Sequence, residues 1–392
     1  MTIEGIAYKI LGVLFFIVAV ALYGGLNYYI GIRIWKGLFS HIPYINSKVF
    51  WVIYWIIVLA YVVAALMRNY PNKIASSLEF MGGIWLGLMF YIFIALLVID
   101  LIRFIISRTG NQQLLNIMSG SKFQLTFSII MAVFLISFLV YSMRAAENSK
   151  VSIYNLNTEK TVKGSNIKII MVSDIHIGGI IGRDRIETMV KEINDLKPDL
   201  ILIAGDIIDS SIESFKSQNI GDVFRRLQAK YGVYAAMGNH DGFDGDIDKI
   251  TMEYNKAGVK VLRDEIELID NCFYIGGRVD ASIARGKGRK SISDIVQGAD
   301  MSKPIIIMDH QPIEFQEEQK AGVDLLVSGH THRGQLSPAN LITSRIFELD
   351  YGYLKRGNLN IVVSSGYGTW GPPMRIGSQS EIVEINLRQG SI

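Results

Sequence analysis

The sequence predicts an N-terminal all-α transmembrane region of four helices, followed by an α/β four-layer sandwich in which two mixed β-sheets are flanked by helices. Two observations support this order. Half of the residues are hydrophobic, and before residue 147 they concentrate in four long apolar stretches. After residue 165, short apolar runs alternate with amphipathic stretches, which is typical of strands and helices in alternation. A third observation concerns function: several of the short runs end in acidic residues and histidines.

The first part of the chain is predicted to lie in a membrane. Its apolar stretches cover about residues 7–30, 49–67, 80–102 and 123–143. Each is close to the ~20 residues that cross a bilayer as a helix. They have almost no polar face, which argues against four buried helices of a soluble domain. We therefore predict a four-helix transmembrane region over 1–147, a polar linker over 148–165 and a catalytic domain over 166–392.

The distribution of lysine and arginine favours one orientation in the cell membrane. The loops after the first and third stretches carry Arg33, Lys36, Lys48, Arg103, Arg108 and Lys122. The opposite side carries Lys9, Arg68, Lys73, Arg144 and Lys150. The positive-inside rule places the richer side in the cytoplasm, by a margin of one charge. The prediction is a multi-pass protein with an extracytoplasmic catalytic domain.

The second part of the chain has the pattern of an α/β sandwich. Residues 184–196 carry apolar side chains at helical spacing, and residues 214–229 are a second helical stretch. Strands such as Leu200–Ile203 are apolar throughout, which predicts burial on both faces under layers of helices. Further strands are predicted at Val259–Leu262, Ile266–Ile269, Cys272–Ile275, Ile361–Ser364 and Glu381–Leu387.

Metal-ligand residue types follow five apolar runs. The run Ile167–Val172 is followed by Asp174 and His176, two positions apart, which strand alternation would point the same way. Five of the six histidines lie at such strand ends. The residues that follow the other four runs are Asp206 and Asp209, then Asn239 and His240, then His310, and finally His330 and His332.

These residues predict a metal site built from oxygen and imidazole ligands. The single cysteine, Cys272, excludes a cysteine-rich zinc site. Seven ligand groups are too many for one tetrahedral ion and suit two ions that share a carboxylate. Such a pair, ~3.5–4 Å apart, clamps a phosphoryl oxygen and generates a hydroxide nucleophile near neutral pH. The net charge of +3 gives no indication of a nucleic-acid polymer as partner.

The ordered motifs resemble those of the calcineurin-like metallophosphoesterase family. They are Asp174-x-His176, Gly205-Asp206-x-x-Asp209, Gly238-Asn239-His240-Asp241, His310 and Gly329-His330-x-His332. Residues 329–335 and 365–375 also resemble the bacterial membrane-bound branch near the UDP-diacylglucosamine hydrolases. The resemblance covers about residues 166–387 and leaves out the four apolar stretches.

The resemblance implies a metal-dependent phosphoesterase with two divalent ions, which would be Mn, Fe, Zn or Ni. One ion would be held by Asp174, His176 and His332, the other by Asn239, His310 and His330, with Asp206 bridging both. His240 would act as general acid, and Asp209 would orient it. Arg333 stands where relatives often have glycine, and we predict that it binds a substrate phosphate.

The function expected from these observations is hydrolysis of a phosphate ester in or at the lipid bilayer, and the resemblance favours a diester. A metal-bridging hydroxide would attack, and the substrate would be lipid-linked. The basic stretch Arg278–Lys290 is a candidate mobile loop for phosphate or lipid headgroups. Alternatives are a phosphomonoesterase, a nucleotide-lipid pyrophosphatase, or a membrane sensor or transport module with a regulatory phosphoesterase domain.

Overall fold

The computed structural model describes residues 3–161, 166–284 and 288–390. The chain divides into two compact units. One consists of Met1–Val62 and Met81–Val140, and the other of Val63–Phe80 and Tyr141–Ile392. The segment between the second and third apolar stretches therefore belongs to the same unit as the catalytic domain.

The predicted set of four apolar helices is confirmed. The N-terminal helices are α1 (Ile3–Gly37), α2 (Ser47–Leu66), α3 (Lys73–Arg108), the short α4 (Gln112–Ser119) and α5 (Ser121–Glu147). All except α4 are long and apolar enough to cross a membrane. Their apolar side chains are largely exposed, for example Phe15 at 76%, as expected for surfaces that lipid covers.

A polar residue joins three of the apolar helices. The amide oxygen of Asn27 in α1 accepts a hydrogen bond of 2.9 Å from the indole N–H of Trp85 in α3. The backbone carbonyl of Asn27 accepts one of 2.7 Å from the hydroxyl of Tyr54 in α2. Asn27 is fully buried. Hydrogen bonds of this kind stabilise helix association where apolar burial gives little preference between protein and lipid.

The catalytic domain alternates strands and helices. The first half contains β1 (Lys150–Thr158), β2 (Asn166–Val172), α6 (Arg183–Asp195), β3 (Leu200–Ala204), α7 (Ile212–Ser217), α8 (Ile220–Phe224), β4 (Val233–Ala236), α9 (Ile247–Lys256) and β5 (Lys260–Val261). The second half contains β6 (Glu265–Ile269), β7 (Phe273–Gly277), α10 (Ile292–Ile295), β8 (Ile305–Met308), α11 (Phe315–Lys320), β9 (Leu325–Ser328), α12 (Asn340–Ile346), β10 (Gly352–Arg356), β11 (Leu359–Val363) and β12 (Glu381–Gln389).

Two mixed six-stranded sheets form the predicted four-layer sandwich. The strand orders are β1-β12-β2-β3-β4-β5 and β10-β11-β9-β8-β7-β6. Alternate residues of β2 enter different cores, because Ile169 and Met171 pack between the sheets while Ile170 and Val172 pack against the helix layer. A third core lies under α10 and α11 on the far face of the second sheet. The fully apolar strands are thus explained by burial on both faces.

Part of the predicted linker 148–165 is instead a strand. Lys150–Thr158 forms β1 and pairs in parallel with β12 along its whole length. The prediction failed because several inward positions of β1 are polar. Their side chains find hydrogen-bond partners elsewhere in the domain. Thr158 Oγ1, for example, donates over 2.7 Å to Oδ1 of Asp324, the residue that precedes β9 of the other sheet. Residues 162–165 of the predicted linker lie outside the described residues.

The predicted helical stretch 214–229 is interrupted. It contains two short helices, α7 and α8, and the residue between them, Asn219, has φ 51°. A left-handed residue cannot continue an α-helix.

Candidate active site

The seven predicted metal ligands meet where the strands of the two sheets end. β2, β3 and β4 are parallel neighbours in one sheet, and β8 and β9 are parallel neighbours in the other. Their C-terminal ends therefore lie at common edges of the sheets. The side chains that converge there are Asp174, His176, Asp206, Asn239, His310, His330 and His332.

One group of ligands contains a carboxylate and two imidazoles. His176 Nε2 and His332 Nε2 are 3.0 Å apart. Asp174 Oδ1 lies 3.4 Å from His332 Nε2. All three side chains are buried, with at most 7% of the residue exposed.

The other group is centred on Asn239. Its amide oxygen is 2.9 Å from His330 Nδ1 and 3.2 Å from His310 Nε2. Asp206 Oδ2 lies 3.1 Å from His310 Nε2 and 3.8 Å from His176 Nε2. This oxygen therefore faces both groups, which is the position that a bridging carboxylate needs. The individual ligand roles stay predictions.

The donor set fits a pair of divalent cations. His310 Nδ1 is 2.8 Å from the backbone carbonyl of Ala204, which can only accept, so Nδ1 carries the proton and Nε2 is free to bind a metal. The imidazole rings of His176 and His332 face each other through their Nε2 atoms. A cation between these two atoms would stabilise this arrangement. Separations of 3.0–3.8 Å between ligand atoms are those produced by metal bonds of ~2.0–2.2 Å.

Several of the ligand residues have backbone dihedral angles in the left-handed region. This conformation costs about 1 kcal/mol or more for each non-glycine residue. Asp174 and His176 have φ of 51° and 54°. Their convergence therefore comes from a turn after β2 and not from strand alternation. Asp206, His330 and His332 also have positive φ, at 54°, 71° and 50°.

The glycines of the motifs leave room for neighbouring ligands. A Cβ on Gly238 would overlap Asp206 Oδ1, and one on Gly329 would overlap Asp174 Oδ2. The Gly-Asn-His and Gly-His motifs are thus explained by carboxylates of other strands that pack directly on the glycine backbone.

His240 faces a cavity beside the ligands. Its Nδ1 lies 2.6 Å from the backbone carbonyl of Asp209, so the donated proton sits on Nδ1 and Nε2 remains available. The carboxylate of Asp209 was predicted to orient His240. Its Oδ1 is closer to His176 Nδ1, at 3.4 Å, than to His240 Nδ1, at 3.7 Å. The structure therefore places the Asp209 backbone on His240 and its carboxylate on His176.

The cavity has a volume of about 500 Å³. Asp206, Asn239, His240, His330 and His332 form its base, and the aromatic rings of Phe243, Phe347 and Trp370 form much of its wall. The ring of His240 lies 4.5 Å from that of Phe243 and 6.2 Å from that of Trp370. A phosphate ester with an apolar or flat substituent fits this combination of surfaces.

The guanidinium of Arg333 lies over the ring of Tyr351, 4.6 Å from its centre. Arg333 is not one of the residues that line the cavity within the described part of the chain. Binding of a substrate phosphate by Arg333 stays a prediction, and it requires the side chain to leave Tyr351.

Comparison with known proteins identifies the family. The model of the calcineurin-like phosphoesterase family matches residues 167–334. A protein of Aquifex aeolicus, named as an uncharacterized metallophosphoesterase, is 34% identical over 245 residues, which are 61% of this chain and 92% of that protein. This chain belongs to the calcineurin-like metallophosphoesterase family. The predicted family is confirmed, and with it the enzyme class of hydrolases that act on phosphate esters at a dinuclear divalent metal centre.

Similarity also covers the apolar helices. A metallophosphoesterase of Campylobacter jejuni is 27% identical over 391 residues, which are 96% of this chain and 98% of that protein. A zebrafish (Danio rerio) protein named as a transmembrane protein with a metallophosphoesterase domain is 28% identical over 321 residues, 78% of this chain and 72% of that protein. With its four membrane-length helices, the chain is a membrane protein that carries a metallophosphoesterase domain.

Asp241 links two loops of the metallophosphoesterase site by hydrogen bonds, a role that the sequence did not reveal. Its buried carboxylate accepts hydrogen bonds of 2.9–3.2 Å from the backbone N–H groups of Gly238, Asp206, Ile207 and Ile208. The hydroxyl of Tyr254 also donates to it, over 2.8 Å. Burial and the nearby charge of Asp206 raise the pKa of Asp241 to about 6. The loops after β3 and β4 are thus joined through one side chain.

The basic stretch Arg278–Lys290 is partly structural. Arg278 is 3% exposed and contacts the carboxylates of Asp309, Glu314 and Glu318. Arg289 contacts Asp309 at 3.1 Å. These two arginines form ion pairs with Asp309, the residue that precedes the ligand His310. The prediction of a mobile loop that binds phosphate or lipid headgroups is therefore wrong for them. Arg285 and Lys287 lie outside the described residues.

Residues of two apolar helices, α3 and α5, pack beside the metallophosphoesterase site. The backbone of Gly179, three residues beyond His176, lies directly against the carboxylate of Glu79 near the start of α3, where a Cβ on the glycine would overlap Glu79 Oε2. The backbone N–H of Arg375 donates to the carbonyl of Ser142 in α5 over 3.0 Å. The guanidinium of Arg375 is buried and lies 3.5 Å from His332 Nδ1. Sequence reasoning missed Glu79 and Arg375, since neither follows a motif strand.

Proposed function

We propose that the protein is a membrane-anchored phosphodiesterase that hydrolyses a phosphate diester presented at the membrane. The observation that carries the proposal is the cavity, which joins the metal-ligand cluster and His240 to a wall of Phe243, Phe347 and Trp370. An aromatic wall beside a phosphate site suits a substrate that has a large substituent on phosphorus. Two divalent ions at the cluster would supply Lewis acidity at the phosphoryl group and lower the pKa of water there.

In the proposed mechanism, His240 protonates the leaving group. Because its Nδ1–H is held by the carbonyl of Asp209, a second proton can reside only on Nε2. As water adds to phosphorus and the ester P–O bond breaks, the leaving oxygen takes the Nε2 proton and departs as an alcohol. The water gives up its own proton to solvent, and the products are a phosphate monoester and an alcohol.

The charge of the cavity favours a diester over a monoester. Within the described residues, no lysine or arginine lines it. A diester carries one negative charge at neutral pH, whereas a monoester carries nearly two and benefits more from a guanidinium. The same argument disfavours a pyrophosphate substrate, which brings charge on two phosphorus atoms.

The test is the ratio of kcat/KM for bis-p-nitrophenyl phosphate to that for p-nitrophenyl phosphate, measured with the full chain in nanodiscs and with Mn²⁺, Fe²⁺, Zn²⁺ or Ni²⁺. We expect the diester to be preferred by tenfold or more with the best metal. A preference for the monoester would overturn the assignment to a phosphodiesterase while leaving the family intact. Arg333→Ala is included, and a higher KM in that variant would support the predicted contact with phosphate.

A further inference from the structure

Helix α12 presents different surfaces to the cavity and to its surroundings. Thr343 and the adjoining Phe347 line the cavity. On the outside, Leu341, Ile342 and Ile346 are 54%, 61% and 68% exposed. A surface helix normally turns polar side chains outward. Three large exposed aliphatic residues within two turns therefore require a covering surface.

The exposed apolar surface continues around the mouth of the cavity. Trp370 is 58% exposed and Phe243 52% exposed, and both also line the cavity. Other large apolar residues of the described segments 166–284 and 288–390 are less exposed, for example Met252 at 48%. Apart from Ile153 in the edge strand β1, at 58%, the most exposed apolar side chains in the described part of this domain thus surround the site at which a substrate enters.

The position of the chain segments that lead to the membrane identifies the covering surface. Glu79, in α3, packs directly against Gly179 beyond the ligand His176. Ser142, in α5, is bound to Arg375, whose guanidinium contacts the ligand His332. Both α3 and α5 have the length and composition of membrane-spanning helices. The edge of the domain that holds the metal ligands is therefore the edge at which the chain enters the apolar helices.

We propose that α12, through Leu341, Ile342 and Ile346, docks on the lipid bilayer together with Trp370 and Phe243. The acyl chains cover these side chains, and the mouth of the cavity then lies at the level of the lipid phosphates. This inference deepens the proposed function, on which it rests for the chemistry of the substrate. The docking itself requires no turnover.

The test measures immersion directly in the full chain. In a Cys272→Ala background, Ile342→Cys and the control Met252→Cys are spin-labelled and reconstituted into nanodiscs of phosphatidylcholine and phosphatidylglycerol. Collision rates with oxygen, which concentrates in lipid, and with a water-soluble nickel chelate are compared by EPR. We expect the oxygen-to-nickel ratio at position 342 to exceed that at position 252 several-fold.

Equal ratios at the two positions would overturn the proposal, because position 342 would then be as hydrated as an ordinary surface site. Hydrolysis of bis-p-nitrophenyl phosphate is measured on the same samples. Loss of that hydrolysis with an immersed label would count against the proposed function and not against docking. Hydrolysis with a hydrated label would count against docking alone.

Discussion

The carboxylate of Glu79 packs directly against the backbone of Gly179. The contact is close, because a Cβ on Gly179 would overlap Glu79 Oε2 and lie 3.1 Å from Ser76 Cα. Gly178 in turn packs against Asp209, whose carboxylate faces His176 Nδ1. A residue in the first turns of the apolar helix α3 thus supports the loop that follows a predicted metal ligand.

Loss of this support should weaken metal binding. We expect Glu79→Ala to lower the Mn²⁺ affinity of the full chain by about tenfold, the lower range for residues that orient ligands indirectly. Glu79→Gln keeps the size and shape of the side chain that packs on Gly179 and should recover most of the affinity. The measurement is a titration of free Mn²⁺ by EPR, with the exposed neighbour Ser77→Ala as control. Equal Mn²⁺ affinities for Glu79→Ala and the control would show that the contact between Glu79 and Gly179 does not affect metal binding.

His240 should affect turnover and not metal binding. It lines the cavity, and its Nδ1 is engaged by the Asp209 carbonyl. We expect His240→Ala to lower kcat for a diester by about 10²–10⁴-fold, the usual contribution of a general acid, with Mn²⁺ affinity unchanged within twofold. The loss should be smaller for a p-nitrophenyl leaving group than for an alkyl one, which needs protonation more. Equal losses for both leaving groups would argue against proton donation.

Gly238 should tolerate no side chain. Its Cβ would overlap Asp206 Oδ1, and Asp206 cannot move without leaving the other ligands. We expect Gly238→Ala to weaken Mn²⁺ binding by about 10–100-fold while the chain still folds. Gly221→Ala is a matched control, because the nearest atom to its Cβ would be 3.5 Å away. Normal metal binding by Gly238→Ala would show that the site is more open than the structure indicates.

The acidic cluster around Arg278 should make stability depend on pH. Two guanidinium groups, of Arg278 and Arg289, face four carboxylates, of Asp309, Glu314, Glu317 and Glu318. Burial raises the pKa of Glu318 from 4.5 to about 8. Between these values the unfolded chain releases a proton that the folded chain keeps, so the free energy of unfolding falls as the pH rises.

Glu318→Gln should remove this dependence. We expect the thermal midpoint of the wild-type domain to fall between pH 5 and pH 8, and that of the variant to fall less. Scanning fluorimetry of the full chain over this range provides the measurement. The control is Glu348→Gln, an exposed residue that pairs with Arg356 outside this cluster. Identical pH profiles for wild type and Glu318→Gln would mean that another group carries the proton.

The architecture and the composition of the site were predictable because both depend on local patterns. Apolar runs of membrane length predicted four helices, and Asp174, Asp206 and His310 were found because polar residues end buried strands. β1 was missed because polar residues such as Thr158 face inward and find partners only through distant parts of the chain. The contact of Glu79 with Gly179 depends in the same way on tertiary packing, which no local pattern encodes.

The carboxylate partner of Asp209 shows a second limit of sequence reasoning. The motif predicted a contact with His240, but the carboxylate faces His176 and the backbone carbonyl holds His240. A motif identifies which residues share a site. Whether a side chain or its backbone makes a contact depends on dihedral angles that spacing does not determine.

The measurement that tests the central claim most directly combines metal stoichiometry with turnover on one preparation. Metal-free full-length protein in nanodiscs is titrated with Mn²⁺, while bound ions and hydrolysis of bis-p-nitrophenyl phosphate are followed together. We predict two ions per chain, hydrolysis that rises as the second ion binds, and loss of both in Asp206→Asn, since Asp206 faces both ligand groups. Two bound ions with no hydrolysis of diester or monoester, or hydrolysis that persists without metal, would contradict this prediction.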